Sequence, residues 1–78
     1  MTNLEKYTQA FTEAFDIDEK TAETAAFKEI DAWDSVGHMG LITCIEEAFG
    51  IMLEPDDIID FSSFAKGREI LQKYGIVF

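Results

Sequence analysis

Apolar residues recur every three or four positions in two stretches of this 78-residue chain, at residues 4–15 and 36–49. That spacing collects side chains on one face of an α-helix, whereas a half-buried strand alternates at every second residue. Thr2 or Asn3 can cap the first helix, and Gly50 suits the left-handed end of the second. The pattern therefore predicts a fold in which helices pack against one another.

Two further helices are predicted in the second half of the chain. Pro55, followed by Asp56 and Asp57, suits the first turn of a short helix, because proline fits there and carboxylates meet the positive helix end. A last helix begins after Ser62 or Ser63. Residues 16–32 form a long connection with one short helical turn at residues 19–25. We therefore predict an all-α, four-helix bundle of three longer helices and one short helix, with a long first loop.

Size and charge limit the function classes. The chain is expected to be a single domain, residues 1–78, and its apolar share of 47% is too high for a disordered acidic tail. Sixteen acidic residues against six basic ones give a formal charge of −10, which repels nucleic acid and anionic lipid. We expect partner enzymes with basic patches, no nucleic acid and no membrane insertion.

Cys44 is the only cysteine, so the chain holds no internal disulfide and no multi-cysteine metal site. The first residues lack the basic and apolar regions of a signal peptide, and no apolar run reaches the length that spans a bilayer. From these features we expect a monomer in the cytoplasm, with no metal site.

Asp34-Ser35-Val36 marks the start of the second strong helix, which begins at Asp34 or Ser35. A serine there either caps the helix or presents its hydroxyl to solvent as an attachment point. His38 follows Ser35 by three residues, which invites a serine hydrolase interpretation, but no second base or Gly-x-Ser-x-Gly motif accompanies it. We expect His38 on the surface and Trp33 buried.

Residues 27–71 resemble an acyl carrier protein. Carriers typically read Leu-Gly-x-Asp-Ser-Leu and then an apolar helix that ends in Glu-Glu-x-Phe. This chain has Asp31-Ala32-Trp33-Asp34-Ser35-Val36 and Glu46-Glu47-Ala48-Phe49 in the same register. Ala32, Trp33 and Val36 depart from the pattern, and Trp-Asp-Ser is similar to specialised stand-alone carriers.

The resemblance implies that the chain is not an enzyme and that Ser35 carries a 4′-phosphopantetheine arm, attached by a phosphopantetheinyl transferase that Asp34 helps to engage. Acyl-transferring, synthase or ligase enzymes of fatty acid, lipid or secondary-metabolite biosynthesis would be the other partners. It also implies an acyl chain that folds back among Ile42, Ile45, Ile59 and Leu71. The residues expected to contact partners are Val36, Met39, Glu46, Glu47, Asp56 and Asp57. An aminoacyl or peptidyl carrier and a non-covalent acidic interaction module are the alternatives.

Overall fold

The helix starts follow from side chains that accept hydrogen bonds from the first free backbone N–H groups. In the computed structural model, which describes residues 1–78, Thr2 caps α1 (Asn3–Phe15) and Glu5 returns a bond to the Thr2 backbone. Asp34 caps α3 (Ser35–Phe49), and Ser63 caps α5 (Phe64–Gln72). The predicted bounds of α1 and α3 are confirmed.

The all-α prediction is also confirmed, but the chain forms five helices rather than four. The predicted helical turn in the first loop is a short helix, α2 (Glu19–Glu23), because the Asp18 carboxylate caps it at the Thr21 N–H. The other short helix, α4 (Pro55–Asp60), begins at the proline, as predicted. None of the five helices has the length and apolar character that crossing a bilayer would require.

An aromatic core joins the helices to the loop before α3. Phe11 and Phe15 of α1 lie against Trp33, Tyr7 packs on Phe11, and the Tyr7 hydroxyl donates to the Phe64 carbonyl over 2.7 Å. Burial raises the pKa of the Tyr7 phenol. Trp33 is fully buried, which confirms the expectation from its size. The loop that carries it is therefore fixed to the core.

Two large apolar residues of the predicted helices lie on the surface and not in the core. Ile59 is 77% exposed and Leu4 is 40% exposed. The half-buried Ile58 of α4 and the buried Phe61, which directly follows the helix, are three positions apart and share the inward face, so Ile59 turns away from it. This outward turn places an isoleucine beside the start of α3, where the candidate site lies.

Candidate functional site

Ser35 occupies the first position of α3, one residue after the cap. The Asp34 backbone is extended, and its Oδ1 accepts the Gly37 N–H over 2.8 Å. Asp34 therefore does the capping that the sequence left open to either residue. Ser35 is exposed, and its side chain takes no part in the cap. The hydroxyl stands at the positive end of a 15-residue helix.

A tight approach between the loop and α3 fixes the start of that helix. The Lys28 N–H donates to the Trp33 carbonyl over 2.9 Å, and the Trp33 N–H donates to the Ile30 carbonyl over 3.0 Å. The Ala32 carbonyl lies so close to Gly37 that a Cβ there would overlap it. Glycine is thus required at position 37 by space. The sequence analysis did not single out Gly37, because its contact with the Ala32 carbonyl depends on how the loop packs on the helix and not on a local sequence pattern.

His38 connects the core to α4 through both ring nitrogens. Its Nδ1 accepts the Trp33 indole N–H over 2.9 Å, and its Nε2 lies 2.7 Å from the Ile58 carbonyl oxygen. Because an indole can only donate, Nδ1 must be the acceptor and the neutral ring carries its hydrogen on Nε2. The expectation of a surface histidine is therefore wrong: His38 is half-buried and stacked on Trp33.

This bonding also bears on the hydrolase interpretation. A general base needs a ring nitrogen within hydrogen-bond reach of the serine hydroxyl. In His38 one nitrogen is occupied by Trp33 and the other by Ile58. Neither is free to take a proton from Ser35 in this arrangement.

A cleft of about 360 Å³ opens beside Ser35 between α3 and α4. Ser35, His38 and Met39 line it from α3, and Ile58 and Ile59 line it from α4. The rings of Phe27 and Phe61 complete an apolar lining. Of the four residues that the resemblance places around an acyl chain, only Ile59 lines this cleft, and Ile42, Ile45 and Leu71 are packed in the core of the unmodified chain.

A second depression, of about 280 Å³, lies between α1 and α3 and contains Cys44. Burial raises the pKa of the Cys44 thiol, and the nearby carboxylates of Glu13 and Glu47 raise it further. The thiol form is therefore favoured, which makes Cys44 a poor nucleophile.

The residues predicted to contact partners divide into two groups. Val36 is 83% exposed and Met39 is 52% exposed, both within one helical turn of Ser35. Glu47 and Asp56 are also exposed. The remaining two have structural roles, because Glu46 accepts the Leu53 N–H over 2.8 Å and Asp57 is buried.

Asp57 ties α4 to the end of α5. Its carboxylate accepts from Lys73 Nζ and from the Tyr74 hydroxyl, each over 2.6 Å. These two bonds, with Lys73 the larger cause, lower the pKa of the Asp57 carboxyl. The same contact raises the pKa of Lys73 and of Tyr74. Both carboxylate oxygens of Asp57 are thus engaged within the chain.

No family model, curated protein or solved structure matches this chain.

Proposed function

We propose that this chain is an acyl carrier protein in which the Ser35 oxygen holds a 4′-phosphopantetheine arm. The observation that carries the proposal is that Asp34 and Ser35 have different roles at the start of α3. Asp34 supplies the cap, so the adjacent Ser35 hydroxyl is exposed and has no capping role to lose on modification. The motif resemblance and this geometry support the same residue.

The start of α3 suits a phosphodiester. Free backbone N–H groups and the helix dipole favour negative charge at a helix N-terminus. When bound, the arm would supply a terminal thiol that carries acyl groups as thioesters. The chain itself would keep the arm on a rigid point, and a tethered substrate reaches a partner enzyme at high effective concentration.

The cleft beside Ser35 supports an acyl cargo over an aminoacyl one. Its lining is made mainly of Met39, Ile58, Ile59 and two phenylalanine rings. An aliphatic chain gains about 0.8 kcal/mol for each CH₂ group that leaves water. An aminoacyl group carries a charged amine, which such a lining does not stabilise.

The surface around Ser35 supports docking to partner enzymes. Val36, Met39 and Ile59 expose apolar side chains, and Glu47 and Asp56 add negative charge at a greater distance along the chain. The carboxylates would steer basic partners, and the apolar side chains would supply contact area. Asp34 would engage the transferase. A non-covalent interaction module could use the same surface, so the attachment itself must be tested.

The test is modification by a broad phosphopantetheinyl transferase with coenzyme A, read by intact mass. The wild-type chain should gain one phosphopantetheine, and Ser35→Ala should gain none. Ser62→Ala is the matched control, because Ser62 is also exposed and lines the same cleft. A known carrier in the same reaction is the positive control. If it is modified and the wild-type chain is not, the carrier function is rejected and the non-covalent interaction module is the function that remains.

A further inference from the structure

His38 is the one side chain that spans the cleft with hydrogen bonds. It lines the cleft from α3, and its Nε2–H reaches the Ile58 carbonyl of α4 over 2.7 Å. On the other side the buried Trp33 indole holds Nδ1 over 2.9 Å. The imidazole is therefore fixed at a core residue and extended to the opposite wall.

The helix on that wall depends on such attachments. A six-residue helix is too short to be stable alone in water. Its carbonyl at Ile58 also receives the Phe61 N–H, but over 3.4 Å, which is a weak bond. At its other side Asp57 is held by Lys73 and Tyr74. The His38 bond is thus the polar attachment of α4 on the side that faces the cleft.

We propose that His38 is a positioning residue that closes α4 onto α3 and so limits the width of the cleft, and that the cleft widens to take up an apolar chain on Ser35 when the His38–Ile58 bond opens. This inference rests on the proposed carrier function as far as the tethered chain is concerned. The closing of α4 by His38 is a property of the unmodified chain and can be tested separately.

Two substitutions of His38 each keep one of the two hydrogen bonds of the imidazole and remove the other. In His38→Asn the amide oxygen can occupy the place of Nδ1 and accept from Trp33, but the side chain does not reach Ile58. In His38→Gln the longer side chain can place its N–H at the position of Nε2 and donate to Ile58. Both residues are polar amides, and the pair differs in which bond is kept: Asn keeps the bond to Trp33 and Gln keeps the bond to Ile58.

Amide hydrogen exchange of the unmodified chain tests the closing role. We expect exchange at the Ile58 and Phe61 amides to be about fivefold faster in His38→Asn than in His38→Gln, the factor expected for one lost hydrogen bond. The Gly67 amide, bonded to the Ser63 carbonyl over 2.9 Å in α5, is the internal reference. Equal exchange at Ile58 in the two variants, or an equal increase at Gly67, would overturn the proposal.

Cleavage of a loaded thioester by hydroxylamine tests access to the cleft. A straight-chain acyl group should be cleaved several-fold more slowly on His38→Asn than on His38→Gln, because the open cleft shelters the chain. Equal rates would overturn the claim about entry. If none of the chains can be loaded, the carrier function fails, while the exchange result still decides whether His38 closes the cleft.

Discussion

At the scale of single residues, Asp34 and Ser35 show how one motif can place a helix cap directly beside an exposed hydroxyl. The sequence could not assign the cap, because aspartate and serine are about equally good at that position. The extended backbone of Asp34 and its bond to the Gly37 N–H decide the matter. The Ser35 hydroxyl takes no part in the cap because the Asp34 carboxylate already accepts the Gly37 N–H.

Asp34 substitutions separate its two roles. Asn caps a helix about as well as Asp, whereas Ala loses about 1 kcal/mol of stability. We expect Asp34→Asn to keep the wild-type free energy of unfolding and yet slow modification by the transferase, and Asp34→Ala to lower both. Urea unfolding and the rate of mass gain measure the two effects. Unchanged modification in Asp34→Asn would remove the carboxylate from the transferase contact.

His38 marks the limit of residue-scale prediction. Its bond to Trp33 spans five positions, and its bond to Ile58 spans 20. The spacing to Ser35 suggested a shared helix face, which says nothing of a partner on another helix. A buried tryptophan needs an acceptor for its N–H, and that need was the available signal.

At the scale of helices, two glycines of α3 give opposite predictions. A Cβ at Gly37 meets the Ala32 carbonyl, whereas a Cβ at Gly40 meets nothing within 4 Å. Gly37→Ala should therefore lower the free energy of unfolding by about 1–3 kcal/mol through overpacking. Gly40→Ala should raise it by about 0.8–1.0 kcal/mol through helix propensity.

Chemical denaturation of both variants measures this difference. Each is the control for the other, because the substitution and the helix are the same. Equal effects would contradict the close approach of the loop to Gly37, and with it the fixed start of α3.

The attachment of α4 through Asp57 gives a pH dependence. Its pKa lies below the ordinary value of 3.8, so the folded state favours the ionised carboxyl. That stability is present above the unfolded pKa and is lost as the pH falls through the lower folded pKa. We expect wild type to exceed Asp57→Asn in stability near neutral pH and the difference to shrink below about pH 4.

Thermal unfolding of both chains between pH 7 and pH 2 checks this sign. Asp57→Asn is the relevant comparison because its amide carries no charge and, like the protonated carboxyl, offers one acceptor oxygen and one donor group in place of two acceptors. A difference that grows as the pH falls would contradict the ion pair with Lys73.

Helix ends were predictable where one strong signal stood alone. Pro55 and the helical spacing after Asn3 gave the starts of α4 and α1. The faces of short helices were not, because six residues of α4 contain too few turns to define an apolar stripe. The sequence alone therefore does not separate the exposed Ile59 from its half-buried neighbour Ile58.

At the scale of the whole molecule, the charge of −10 acts against the compact state. Only two ion pairs, Lys73–Asp57 and Lys66–Glu69, offset it. We expect the melting temperature to rise between low and moderate salt, where about 1 kcal/mol corresponds to about 4–8 °C for a domain of this size. Scanning calorimetry in sodium and potassium chloride measures it, and a fall in both salts would contradict this account.

The all-α class and the position of Ser35 were readable from the sequence, since both depend on local spacing. The cleft was not, because it arises where α4 meets α3 through contacts between distant residues such as His38 and Ile58. The molecule as a whole thus combines a free hydroxyl, an apolar cleft and an acidic surface.

The most direct test of the central claim is to locate the modification by fragment mass mapping after treatment with coenzyme A and the transferase. Ser35, Ser62 and Ser63 are the only serines, so the chain supplies its own controls. The account predicts one phosphopantetheine per chain, on the fragment that contains Ser35. A group on Ser62 or Ser63, or a bare Ser35 under conditions that modify a known carrier, would contradict it.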